Sequence, residues 1–218
     1  MSVMQTTVTR AKPGRRHDAI AVALEAAELL ERHGADDNRY LVAQIAGEAT
    51  GTNVFTTEFD NGEAWGEFMD SLNADAELDA LMARLDREDS PVVLETMSIG
   101  STIELGRDGP SDRGSLIEAY ISKVNPGRFA AAVELGSTVF DFVEQNGATN
   151  CRLIQLSSAG SMTDCLVASW ELDSMKSMGR LGDAYATSPE GQRILETLTA
   201  ADGPVVPVMS GVYTEIPL

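Results

Sequence analysis

The sequence predicts an α+β protein made of two tandem βαββαβ units, and three observations carry that expectation. The chain repeats itself at a constant offset of 113 residues, which lays Pro91 on Pro204. Each copy runs through strand-like and helix-like stretches in the same order. A stretch rich in glycine, proline, serine and charge, "GRDGPSDRGS" from Gly106 to Ser115, separates the copies. The expected organisation is therefore a first unit over 1–105, a surface linker over 106–115 and a second unit over 116–218.

The repeat holds one register along its whole length. "KPGR" (Lys12–Arg15) meets "NPGR" (Asn125–Arg128), Gly34 meets Gly147, Arg39 meets Arg152, Glu58 meets Glu171, and Asp89-Ser90-Pro91 meets Asp202-Gly203-Pro204. About a quarter of the paired positions are identical, which marks two copies of one supersecondary unit.

Within each copy the elements follow from local chemistry. The alternating stretches "TTVTRA" and "EAYISKV" suit a strand, ending at Pro-Gly-Arg, where proline fits a helix first turn. An apolar-rich helix is expected over Arg15–His33 and Arg128–Asn146, closed by Gly34 and Gly147 as left-handed caps. A hairpin follows, Arg39–Ala46 with Asn53–Phe59, and Arg152–Ser158 with Cys165–Leu172. Asn61 and Ser174 offer helix-start chemistry to a longer helical region, Glu63–Leu85 or Met175–Leu198. The strand containing Pro-Val-Val closes each copy. This order is the ferredoxin-like split βαβ plan, whose sheet leaves one face bare, and two copies can bury those faces against each other.

The strand running into Pro-Gly-Arg and helix, together with "TTEFDNGEAWGEFMDSLNADAELDALMARL" and its partner "ASWELDSMKSMGRLGDAYATSPEGQRILETL", resembles the dimeric α+β barrel superfamily in a fused, tandem form. The antibiotic-biosynthesis monooxygenase-like (ABM-like) and NIPSNAP-like branches are the most similar. That resemblance implies an intramolecular barrel with a cavity inside it or between sheet and helices. It also implies activities such as cofactor-free oxygenation, cyclisation, isomerisation or haem degradation. The helix that carries a histidine in such enzymes reads "EAWGEFM" and "MKSMGRLG" here, so no haem and no other cofactor is expected.

Composition narrows the partners. With 34 acidic against 16 basic residues the formal charge is −18, which disfavours nucleic acid and anionic lipid. No stretch is apolar enough to span a bilayer or to serve as a signal segment, so a soluble cytoplasmic protein without membrane contact is expected. Cys151 and Cys165 fall on the two arms of one hairpin but not opposite each other, so free thiols are expected. Two scattered thiols and two scattered histidines make no metal site. His17 and His33, at the two ends of the first helix, read as structural. Because fusion already supplies the sheet-to-sheet contact, the chain is expected as a monomeric pseudo-dimer or a homodimer.

Strand alternation selects candidate site residues. In the third strand of each copy Phe55 and Phe59, or Leu166, Ala168, Trp170 and Leu172, form the greasier set under the helices. The opposite set sends Glu58 and Glu171 toward the shared interior. There Glu171 reads as a candidate general base with Tyr120 as its catalytic partner, and Tyr40, Gln44, Glu58, Ser122, Gln155, Ser169 and Tyr213 as candidate ligand-binding residues. The competing reading makes Glu58 and Glu171 ion-pair partners of Arg39 and Arg152 on adjacent strands. The second copy also places Tyr120, Trp170, Tyr185 and Tyr213 where the first has Thr7, Thr57, Leu72 and Gly100. A small hydrophobic or aromatic ligand is the expected partner, with cofactor-independent oxygenase or cyclase chemistry as the finer expectation; the alternative is a non-catalytic interaction or structural protein with a filled barrel.

Overall fold

The computed structural model describes residues 1–35, 37–107, 113–114 and 116–217; positions 36, 108–112, 115 and 218, hence most of the proposed linker, lie outside the described residues. The first copy runs β1 (Val3–Ala11), α1 (Arg16–Arg32), β2 (Asp37–Ile45), β3 (Thr52–Phe59), α2 (Gly62–Asn73), α3 (Ala76–Leu85) and β4 (Val92–Thr102). The second runs β5 (Leu116–Val124), α4 (Phe129–Gln145), β6 (Thr149–Ser158), β7 (Cys165–Leu172), α5 (Met175–Thr187), α6 (Pro189–Thr199) and β8 (Val205–Ile216). All eight strands close into one antiparallel barrel in the order β1-β3-β2-β8-β5-β7-β6-β4. The copies are sewn together at two seams, β2 with β8 and β4 with β6.

Two local expectations are corrected. Pro13 and Pro126 lie before the helices, not in their first turns: each sits in a tight turn closed by Arg15 N–H donating to the Lys12 carbonyl and Arg128 N–H to the Asn125 carbonyl, both at 3.0 Å. Gly14 and Gly127 follow the prolines at φ +75° and +72°, as a type II turn requires. The long second helical region is two helices in each copy. Asp75 caps α3 by accepting from Glu77 N–H, and Ser188 caps α6 by accepting from Gly191 N–H with Pro189 at the first position. Gly34 and Gly147 end α1 and α4 at φ +93° and +92°, as expected of left-handed caps.

The irregularities repeat as faithfully as the elements. Ladder shifts leave Glu95 in β4 and Val208 in β8 as extra residues, and the seams shift around Gln44 and Ser157. Bulges of this kind bend strands and help close a barrel.

The cores under the helices differ between copies. In the second, Phe140, Trp170, Leu172 and Leu181 are buried, with Tyr120 stacked on Trp170 at 5.4 Å and Phe140 edge-on to it at 6.4 Å. In the first, Leu29, Phe59, Phe68 and Leu72 form a smaller cluster beneath an alanine-rich α1. Among the described residues no helix is long and apolar enough to cross a membrane.

Candidate functional site

Alternation around the closed barrel turns one face of every strand inward, and the inward side chains enclose a chamber of about 180 Å³. Its wall is mainly aliphatic and thioether: Met4 and Val8 from β1, Leu41 from β2, Val54 from β3, Ile117 and Ile121 from β5, Ile154 and Leu156 from β6, and Met209 from β8. Met162, in the turn between β6 and β7, contributes as well. Thr6, Thr56, Thr96, Ser98, Ser169 and Tyr213 add hydroxyls. Tyr213 is 8% exposed, and burial raises its phenol above the ordinary range, so at neutral pH it is a protonated hydroxyl.

Charge is confined to one end of the chamber, where β2 and β6 begin. Arg39 donates from Nη1 to Glu171 Oε1 at 2.5 Å, and from Nη2 and Nε to Glu215 Oε2 at 2.6 and 3.2 Å. Glu171 also accepts from Gly114 N–H at 2.6 Å and Asn150 Nδ2 at 3.0 Å, and its residue is 3% exposed. Arg113 ties Glu215 to Asp37 beside them. Burial works against the Arg39 guanidinium, but its bonds to Glu215 and Glu171 outweigh that cost and raise its pKa. The repeat-related pair, Arg152 with Glu58, is looser: both side chains are 22% exposed, and Ser2 Oγ lies 2.8 Å from Glu58 Oε1. Both ion pairs join opposite copies. The expected pairing of each glutamate with the adjacent strand of its own copy is corrected: barrel closure brings Arg39 to Glu171 and Arg152 to Glu58, in the opposite copy.

The sequence-selected residues divide between the two faces. Glu171, Ser169 and Tyr213 line the chamber, and Glu58 stands at its charged end in contact with Arg152. Tyr120 does not meet Glu171. It lies on the outer face of β5 beneath the helices, donating to Glu118 Oε1 at 2.9 Å while Trp170 Nε1 donates to Glu118 Oε2 at 3.0 Å. Burial raises the Glu118 carboxyl, with these two hydrogen bonds opposing, and burial and Glu118 together push the Tyr120 phenol upward. Ser122 shares that outer face, because the pairing Ala119↔Ser169 fixes the odd positions of β5 inward. Tyr40 packs against Ala23 and Val42 under α1, its phenol pushed up to about 12 by burial. Gln44 is exposed at the seam bulge, and Gln155 alternates outward between Ile154 and Leu156.

Residues overlooked in the sequence include Asn150, Met162 and Met209, and the two arginines themselves belong to the chamber wall. The recurrence of Arg39 and Arg152 was the available signal. Both cysteines are free; burial pushes the Cys151 thiol up to about 12, with nearby Glu144 adding to it. His33 caps α1 and contacts Ser71 Oγ and Asp75 Oδ2 at 2.8 and 2.9 Å, a structural tie between helices.

This closed barrel of two βαββαβ copies is the tandem form of the dimeric α+β barrel, as solved structures bear out. An anthrone oxidase-like protein superposes with TM-score 0.63 at 13% identity, over 99% of this chain and 91% of its own. A candidate monooxygenase from Fusobacterium nucleatum gives 0.61 at 8% identity, over 99% and 93%. A mutant chlorite dismutase from Candidatus Nitrospira defluvii gives 0.59 at 9%, over 99% and 92%. At these identities the likeness is one of fold. No family model matches the sequence, and no curated protein matches it.

Proposed function

We propose that the protein binds a small apolar ligand, about the size of one aromatic ring, in the chamber at the centre of the barrel. The carrying observation is the chamber itself, about 180 Å³ of space lined mainly by aliphatic and thioether groups. A dry apolar cavity of about 150 Å³ is enough to take up benzene. A filled barrel, which the interaction-protein alternative requires, has no such space.

Cofactor-independent oxygenase or cyclase chemistry on that ligand is the finer reading, supported by the fold shared with the monooxygenase- and oxidase-like structures. A base is its demanding part. The Glu171 carboxylate accepts from Arg39, Gly114 and Asn150, so it serves the barrel end first. The Tyr213 hydroxyl remains as a donor to a ligand oxygen.

Calorimetric titration with toluene tests the binding reading, using Ala119→Leu to fill the chamber from β5. The wild type should bind with an affinity that the variant loses while keeping its melting temperature. Equal uptake by both proteins would remove the ligand from the chamber. Oxygen consumption with a single-ring phenol, absent in wild-type protein, would reduce the function to binding alone.

A further inference from the structure

The two ends of the repeat are not equivalent, and the difference lies beside one arginine. In one half Arg39 is held between two carboxylates, Glu171 and Glu215. The repeat offset carries Arg39 onto Arg152, and Glu215 onto Thr102. Strand register confirms the equivalence: Glu215 pairs with Leu41 across one seam, and Thr102 with Ile154 across the other. Each is therefore the diagonal neighbour of its arginine, within reach of a long side chain. Among the described residues Arg152 consequently has one carboxylate partner, Glu58, engaged through Nη1. Among the described residues its Nε and Nη2 donate to no acceptor.

The volume that a second carboxylate would occupy is open. A cavity of about 190 Å³ lies there, bounded by Ser2, Glu58, Thr102, Asn150 and Arg152. It shares Asn150 and Arg152 with the central chamber. Ser2 Oγ donates its one hydrogen to Glu58 Oε1 at 2.8 Å, so Thr102, 2.8 Å from Ser2 Oγ, presents the hydroxyl that can turn to donate. A molecule with its ring among the chamber's aliphatic groups thus meets, at the charged end, an arginine with unused donors.

Resting on the chamber as the binding site, we infer that its ligand is an aromatic acid, whose carboxylate takes beside Arg152 the place that Glu215 holds beside Arg39. Glu58 opposes the incoming charge, as does Glu104 on the cavity rim. Two carboxylates around one guanidinium is nevertheless an arrangement that this fold already holds at Arg39. There Arg113 supplies a second guanidinium to Glu215. The ligand has Arg152 and the Thr102 hydroxyl, which suits reversible binding.

The test is calorimetric titration of the full chain with benzoate and, separately, with toluene. Arg152→Gln should weaken benzoate about tenfold or more, the usual worth of a hydrogen bond to a charged group, while leaving toluene within about twofold. Thr102→Glu should exclude benzoate and spare toluene, because it installs the carboxylate that the other half carries. This second variant keeps Arg152 and carries the test if Arg152→Gln does not fold. Wild-type protein that binds toluene but not benzoate, or benzoate binding indifferent to both substitutions, overturns the aromatic-acid assignment and leaves the chamber reading standing. Binding of neither compound overturns both.

Discussion

Arg39 and Arg152 occupy one position in two copies, yet replacing each with methionine should have unequal consequences. Arg39 is 11% exposed in its side chain and bonds two carboxylates, one of which, Glu171, is 4% exposed. Among the described residues Arg39→Met leaves Glu171 with the Gly114 N–H and the Asn150 amide, an incompletely compensated buried charge. Breaking a buried pair in this way costs about 3–5 kcal/mol. Arg152 and Glu58 are each 22% exposed, so water can solvate the stranded glutamate, and Arg152→Met should cost about 1–2 kcal/mol, between the surface and buried limits. For a chain of this size about 2–4 °C is lost per kcal/mol, so the melting temperature should fall by about 6–20 °C for Arg39→Met and about 2–8 °C for Arg152→Met. Urea unfolding monitored by circular dichroism, alongside the thermal scans, provides the free energies. Equal losses, or a larger one at Arg152, would refute the argument that burial and second-carboxylate pairing set the energetics of the barrel end.

Two further predictions concern groups outside the chamber. Burial holds the Glu118 carboxyl above its ordinary value, against hydrogen bonds from Tyr120 and Trp170. The folded state then keeps a proton that the unfolded state releases, so this group's contribution is fully present below the unfolded pKa and declines as pH rises through the folded one. Glu118→Gln should flatten that part of the stability curve, measured by urea unfolding from acid to neutral pH; an unchanged slope would sink the assignment. The Cys151 thiol is pushed up to about 12 and Cys165 is buried, so both should resist Ellman's reagent at pH 8 in native protein and react promptly in guanidinium. Fast native labelling of either would contradict that burial.

Much of the fold was legible because its signals are local or periodic. Helix caps at Gly34 and Gly147 need only a left-handed residue, and the N-caps at Asn61 and Ser174 need only a side-chain acceptor. The inward set of the third strands followed from alternation, which is why Glu58, Glu171 and Ser169 were placed toward the interior. Tyr120, Ser122, Tyr40, Gln44 and Gln155 were misplaced because alternation defines two faces without naming the one that faces a partner. On β5 that choice is made by the pairing Ala119↔Ser169, a contact between strands 50 residues apart in the chain.

By itself the sequence determined the duplication, the order of elements and the two faces of each strand, since each depends on neighbours a few residues away or on the offset between copies. Only the tertiary structure decided which arginine holds which glutamate. Arg39 and Glu171, like Arg152 and Glu58, lie in different copies, and they meet because β2 joins β8 and β4 joins β6 when the barrel closes. The chamber has the same origin: its volume is what remains after eight inward faces converge, and Gly100 shows how finely that is set. A Cβ there would stand 2.6 Å from Ile154 Cγ2 and 2.9 Å from the Gln155 carbonyl oxygen across the seam, whereas the repeat-related position in β8 carries Tyr213 into the chamber. Packing between copies, which no local pattern encodes, is what turns two copies of one unit into one asymmetric site.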